Sequence, residues 1–258
     1  MKRVLCLLVV SFLAFSFSLS FAGEITIYVV GTMSYIIDDI IKAYKSKYPQ
    51  DNIKVVTGSA GKGFNQIVNG APYDIFILAD MEYPNKLKQK GYAISQVIPY
   101  GIGKPVIWTR KDSGIDLSKG IKVVLDEKVK KIAIPNWELA LFGKAAKECL
   151  EYYKLWDKVK DKLVIGENIN QTIYFVQTGA TEIAFVSLPL IMHKSIKNTG
   201  NYYILPDECH NPVIHGYVML KHATVDRETY ETAKRFFDFM KSKEVKNILK
   251  SYSYIEVD

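Results

Sequence analysis

The sequence predicts an α/β fold of two lobes, and three patterns carry that expectation. Short runs of Val, Ile, Tyr and Phe alternate with amphipathic stretches from Glu24 onward. Strand, helix, strand, helix in that order is the pattern of a mostly parallel sheet with helices on both faces. The alternation breaks at residues 99–103 and again near 212–216, so the chain is expected to leave one lobe and return to it. Lobe 1 is then residues 23–102 with 214–258, and lobe 2 is residues 103–213. Two crossings make a hinge, and hinged lobes close on ligands between them.

The first element is a leader. Lys2-Arg3, an apolar run over residues 4–21 and the ending Ser20-Phe21-Ala22 predict a signal peptide of residues 1–22, cut after Ala22. The competing reading is a retained anchor, since the run is nearly long enough to span a bilayer. Cys6 sits too early, inside the apolar core, to be a lipoprotein cysteine. The expected compartment is the periplasm.

Residues 25–30 read as a buried strand, broken by Gly31. Thr32 and Ser34 offer cap oxygens to a helix whose stripe is Ile36, Ile37, Ile40, Ile41, Tyr44 and Tyr48, stopped by Pro49. Asp38 and Asp39 lie near its positive end. A second strand, residues 53–57, runs into the small, polar Gly58-Ser59-Ala60-Gly61-Lys62-Gly63 and a helix through Phe64, Ile67 and Val68. The Lys-Ser/Thr ending of a P-loop is missing. Residues 75–78 make a third strand, followed by a helix over residues 84–91.

Beyond the break, residues 106–108, 132–134, 163–165 and 183–186 read as strands. Helices are expected at residues 144–153 and 172–178, the latter ended by Gly179. Residues 213–220 form a last extended run, and two amphipathic helices close the chain at 227–241 and 244–249.

Composition excludes several classes. The formal charge is +7, and removing Lys2 and Arg3 leaves +5 on the mature chain. Lysines are spread along helices with no arginine-rich segment, which indicates a solvated surface and no nucleic-acid partner. Cys149 and Cys209 remain after processing. In an oxidising compartment they could pair, and geometry decides whether they do. Cys209, His210 and His215 lack a zinc spacing, so no metal site is expected. No nucleophile elbow, metalloprotease helix or dinucleotide fingerprint is present, and the chain is not expected to be an enzyme.

The turns are more informative. Gly31-Thr32-Met33, Ser59-Ala60-Gly61, Phe142-Gly143 and Ile169-Asn170 each follow a strand and open a helix. Parallel strands end on one edge, where ligands bind. Four helix starts, two from each lobe, would therefore converge on the cleft and hold a small oxyanion through N–H donors and hydroxyls. Ordinary helix capping is the other reading of any one turn.

Gly58-Ser59-Ala60-Gly61, Gln66-Ile67 and the run Gly70-Ala71-Pro72-Tyr73-Asp74-Ile75-Phe76-Ile77-Leu78-Ala79-Asp80 resemble the periplasmic molybdate-binding proteins of ATP-driven importers. Leu155-Trp156-Asp157 and Gly166-Glu167-Asn168-Ile169 add weaker likeness. The resemblance covers the whole mature chain and implies a two-lobed periplasmic binding protein of type II, with no cofactor. It also implies a monomer whose ligand is molybdate or tungstate and whose partner is the membrane permease of an ABC importer. By the same resemblance, Thr32 and Ser59 supply hydroxyls, and Met33, Ala60, Phe142 and Ile169 supply amides. Ala60 stands where the family has a second serine, and Ser187 where it has a tyrosine hydroxyl. The alternatives are a different oxyanion in the same class, a periplasmic hydrolase, or the sensor lobe of a regulator.

Overall fold

The computed structural model describes residues 23–257, so the expected leader lies outside the described residues. Among these residues ten strands form two five-stranded sheets. The first, in the order β2-β1-β3-β10-β4, joins β1 (Glu24–Val30), β2 (Asn52–Gly58), β3 (Ile75–Leu78), β4 (Ile98–Gly103) and β10 (Val213–Met219). The second, in the order β7-β6-β8-β5-β9, joins β5 (Pro105–Arg110), β6 (Ile132–Pro135), β7 (Leu163–Gly166), β8 (Ile183–Ser187) and β9 (Gly200–Ile204). The chain passes between the sheets at Lys104 and returns along residues 205–212, so all of β10 belongs to the first sheet.

Both sheets are mixed, where mostly parallel ones were expected. In the first, β1 pairs in parallel with β2 and β3, while β10 runs antiparallel to β3 and β4. In the second, β6 pairs in parallel with β7 and β8, while β5 runs antiparallel to β8 and β9. The antiparallel strands adjoin the two crossings. They reach their sheets from the opposite lobe, so no local crossover helix fixes them parallel. Residues 98–103 form β4, where the sequence reads as a break. Pro99, Gly101 and Gly103 are tolerated because β4 is an edge strand: it pairs along its length with β10, with a register shift at His215/Gly216, and on its other side Ile102 makes a single bridge to Ile255.

Among the described residues nine α-helices pack on the sheets: α1 (Ile37–Lys45), α2 (Ala60–Val68), α3 (Glu82–Gln89), α4 (Leu141–Tyr152), α5 (Trp156–Val159), α6 (Ile169–Gln177), α7 (Leu188–Ile191), α8 (Arg227–Phe239) and α9 (Lys243–Ser251). In α1 the apolar spacing does what it predicts, burying Ile37, Ile40 and Tyr44 with Asp38 and Asp39 in the first turn. Cys149 of α4 and Cys209 are joined in a disulfide with Cα atoms 4.5 Å apart. That bridge takes Cys209 out of any metal set, and no cluster of three or more potential metal ligands occurs among the described residues.

Strands β1, β2 and β3 end on the same edge of the first sheet, and β6, β7 and β8 on the same edge of the second. The helices that follow them therefore begin where the two lobes face each other.

Candidate oxyanion-binding cleft

A small cavity lies between these facing edges. Its walls are Val30, Gly31 and Thr32 at the end of β1, Gly58, Ser59 and Ala60 at the end of β2, and Ala79 after β3. From the other lobe come Ala140, Leu141 and Phe142 at the start of α4, with Asn168 and Ile169 at the start of α6. The centre of a water-sized sphere has only about 20 Å³ to move in. Thr32, Ser59, Ala60, Phe142 and Ile169 are all buried. Thus five of the seven expected site residues meet at one place.

The hydrogen bonds around the cavity leave donors over. In α2, Ser59 Oγ accepts from Lys62 N at 3.4 Å, and Gly61 N donates across the cleft to Leu139 O at 3.1 Å. The Ala60 amide stays at the first position of the helix, where no carbonyl four residues back can take it. In α6, Asn168 Oδ1 accepts from Asn170 N at 3.0 Å and Gln171 N at 3.1 Å, leaving the Ile169 amide in the same position. In α4 the N-cap is Ala140, which has no side-chain oxygen to offer. Its first-turn amides, Phe142 among them, therefore face the cavity uncapped.

Thr32 caps nothing, contrary to the sequence reading. A three-residue 3-10 turn, Met33–Tyr35, separates it from α1, and its side chain makes no cap bond. It accepts from Ser187 Oγ at 3.4 Å, so its own hydroxyl hydrogen is left to donate. Ser59 likewise keeps its hydroxyl hydrogen. None of the lining residues is charged. Asp80, just past Ala79, turns its carboxyl away onto the amides of Glu82 and Tyr83, and burial raises its pKa. The walls can donate to a small anion but present it with no carboxylate and no cation.

Met33 and Ser187 are placed differently. Met33 is fully buried in the 3-10 turn and Ser187 caps α7, accepting from Leu190 N at 3.3 Å, and neither lines the cavity. Leu141 and Asn168 are lining residues that the sequence reading left out, because it started both helices three residues late. Asparagine ahead of an apolar first turn was the available signal at Asn168. The flat N-cap at Ala140 gave none.

The lobes are closed on each other. Besides Gly61 to Leu139, Asn170 Nδ2 donates to Ser34 Oγ at 3.1 Å and Lys62 Nζ meets Glu167 Oε1 at 2.6 Å. Tyr35 and His193 bring their rings to 5.1 Å at another part of the seam.

Two mixed α/β lobes closed over a pocket where helices from both lobes begin define a class, that of the bilobal binding proteins. The chain belongs to the bacterial extracellular solute-binding proteins, whose family model matches residues 25–255. It is 30% identical over 199 residues to the molybdate-binding protein ModA of Rhodobacter capsulatus, covering 77% of this chain and 75% of that one. Against ModA of Azotobacter vinelandii the identity is 29% over 236 residues, 90% of each chain. The solved structure of the Azotobacter vinelandii periplasmic molybdate-binding protein superposes with a TM-score of 0.82 at 26% identity, over 91% of this chain and 100% of that one.

Proposed function

We propose that this chain captures molybdate, with tungstate as its near equivalent, outside the cytoplasm and hands it to the membrane permease of an ABC importer. The observation that carries the reading is the small, uncharged, donor-bearing cavity at the meeting of helix starts from both lobes. The amides of Ala60, Phe142 and Ile169 and the hydroxyls of Thr32 and Ser59 replace the water shell of a dianion. A protonated phosphate would bring a hydrogen for which the walls hold no carboxylate acceptor, which disfavours it. The small volume likewise disfavours an organic phosphate. The names of the relatives agree with this ligand.

In this reading, residues 1–22 are a cleaved leader, the protein acts as a monomer, and lobes 23–102 with 214–258 and 103–213 close about the crossings. The cavity walls contain no histidine, cysteine or carboxylate, so the chemistry is binding and not turnover. Calorimetric titration of the mature protein with molybdate, tungstate, sulfate and phosphate tests it. Heat is expected with the first two and none with phosphate; no heat with any anion sinks the reading. In the same titration Thr32→Ala should weaken binding by about 1–2 kcal/mol, the worth of a hydrogen bond to a charged group.

A further inference from the structure

Two glycines of the first lobe sit where the second lobe lands. A Cβ built on Gly31 would lie 2.8 Å from Ile169 Cγ2, 2.9 Å from Asn170 Oδ1 and 3.1 Å from Asn170 Cγ, all three atoms belonging to the opposite lobe. One built on Gly61 would lie 2.7 Å from Leu139 Cδ2 and 3.3 Å from Leu139 Cα, again across the cleft, and 3.1 Å from the Tyr83 hydroxyl. Neither glycine has the positive φ that would explain it by backbone conformation. Each sits next to a donor, Gly31 beside Thr32 in the loop after β1 and Gly61 beside Ala60 in the first turn of α2.

The geometry points to Gly31 and Gly61 as the positions that set how far the lobes close, and so as positioning residues for the anion. Their missing side chains let Ile169 and Leu139 seat. Seating Ile169 brings its amide to the cavity, and seating Leu139 lets its carbonyl accept from Gly61 N at 3.1 Å. A methyl group at either place keeps the lobes apart at the seam, and the donors of α4 and α6 then stop short of an anion held by the first lobe. The open protein should not register the change at Gly31, because the nearest atoms there all leave with the second lobe. This inference rests on the reading of the chain as a protein that closes on its ligand.

The test uses the mature full chain with spin labels at Gln89→Cys and Lys158→Cys, both exposed and one on each lobe. Gly31→Ala and Gly61→Ala should each lose the closed inter-label distance that the parent reaches with molybdate. Both should bind molybdate about tenfold or more weakly, a cost in the range of overpacking, with the change in the release rate. The melting temperature of the anion-free Gly31→Ala protein should stay at the parent value. Leu139→Ala should restore closure to Gly61→Ala and not to Gly31→Ala. Wild-type closure and affinity in both glycine variants would overturn the inference, as would a parent that never populates the closed distance. If the parent binds no oxyanion, the function proposed above fails, and the distances still decide. A closed population in the parent that vanishes in the variants upholds the inference, and one that persists overturns it.

Discussion

At the scale of single residues, the site was legible wherever a strand ran into a small polar turn. Thr32, Ser59 and Ala60 follow strands rich in β-branched residues, and Phe142 and Ile169 open turns of the same strand-to-helix kind, to which the resemblance added only their role as amide donors. Ser187 was reached through the resemblance alone, which cannot see that its hydroxyl is already engaged as the cap of α7. His215 was legible only as one histidine near a cysteine. In the fold it is fully buried on β10, with Nδ1 3.0 Å from the Tyr100 hydroxyl and 3.2 Å from that of Tyr254. Its Nε2 has no partner, and its ring packs 5.6 Å from that of Phe142. Burial lowers its pKa from 6.5 to about 3, so the fold holds it neutral. Below the unfolded value the denatured chain takes a proton that the native chain refuses, and stability is lost as pH falls through that window. The slope from this one group is about 1.4 kcal/mol per pH unit. Urea unfolding near neutral pH and at about pH 5 should therefore differ by about 2 kcal/mol more in the wild type than in His215→Phe. Equal differences in the two proteins would show that His215 is not held neutral.

At the scale of elements, strand cores were read well and helix starts badly, for a physical reason. A strand core announces itself by composition, whereas a helix start announces itself by its cap, and Ala140 supplies none. The same absence makes α4 useful, because amides not taken by a cap are available to a ligand. Ala140→Asp turns this into a test. The new carboxylate would accept from the first-turn amides and favour the positive helix end, stabilising α4 by about 1 kcal/mol. It would also fill the anion's place with a fixed negative charge. The melting temperature of the anion-free protein should rise or hold while molybdate binding disappears. Retained binding would mean that α4 does not supply donors. Edge strand β4 was missed for a related reason, since Pro and Gly argue against a strand only when it must pair on both sides.

At the scale of the whole molecule, the lobes are held by different means. The first holds a half-buried ion pair, with Arg235 Nη2 of α8 2.8 Å from the buried Asp51 Oδ1 ahead of β2. The second is stapled by Cys149–Cys209, which closes a loop of 60 residues containing α5, β7, α6, β8, α7 and β9. Cross-linking a loop of that length removes unfolded-state entropy worth about 4 kcal/mol. All three tryptophans, Trp108, Trp137 and Trp156, lie in the second lobe, so their fluorescence reports that lobe alone, while circular dichroism reports both. Removing the bridge by Cys149→Ala/Cys209→Ala should therefore weaken one lobe and not the other. In urea the tryptophan transition should move to lower concentration and separate from the later part of the circular-dichroism transition. Saturating molybdate, bound by both lobes, should draw the two transitions together again, since a ligand held across the cleft stabilises only the form in which both are folded. Coincident transitions in the anion-free double variant would show that the seam couples the lobes more strongly than the bridge stabilises the second.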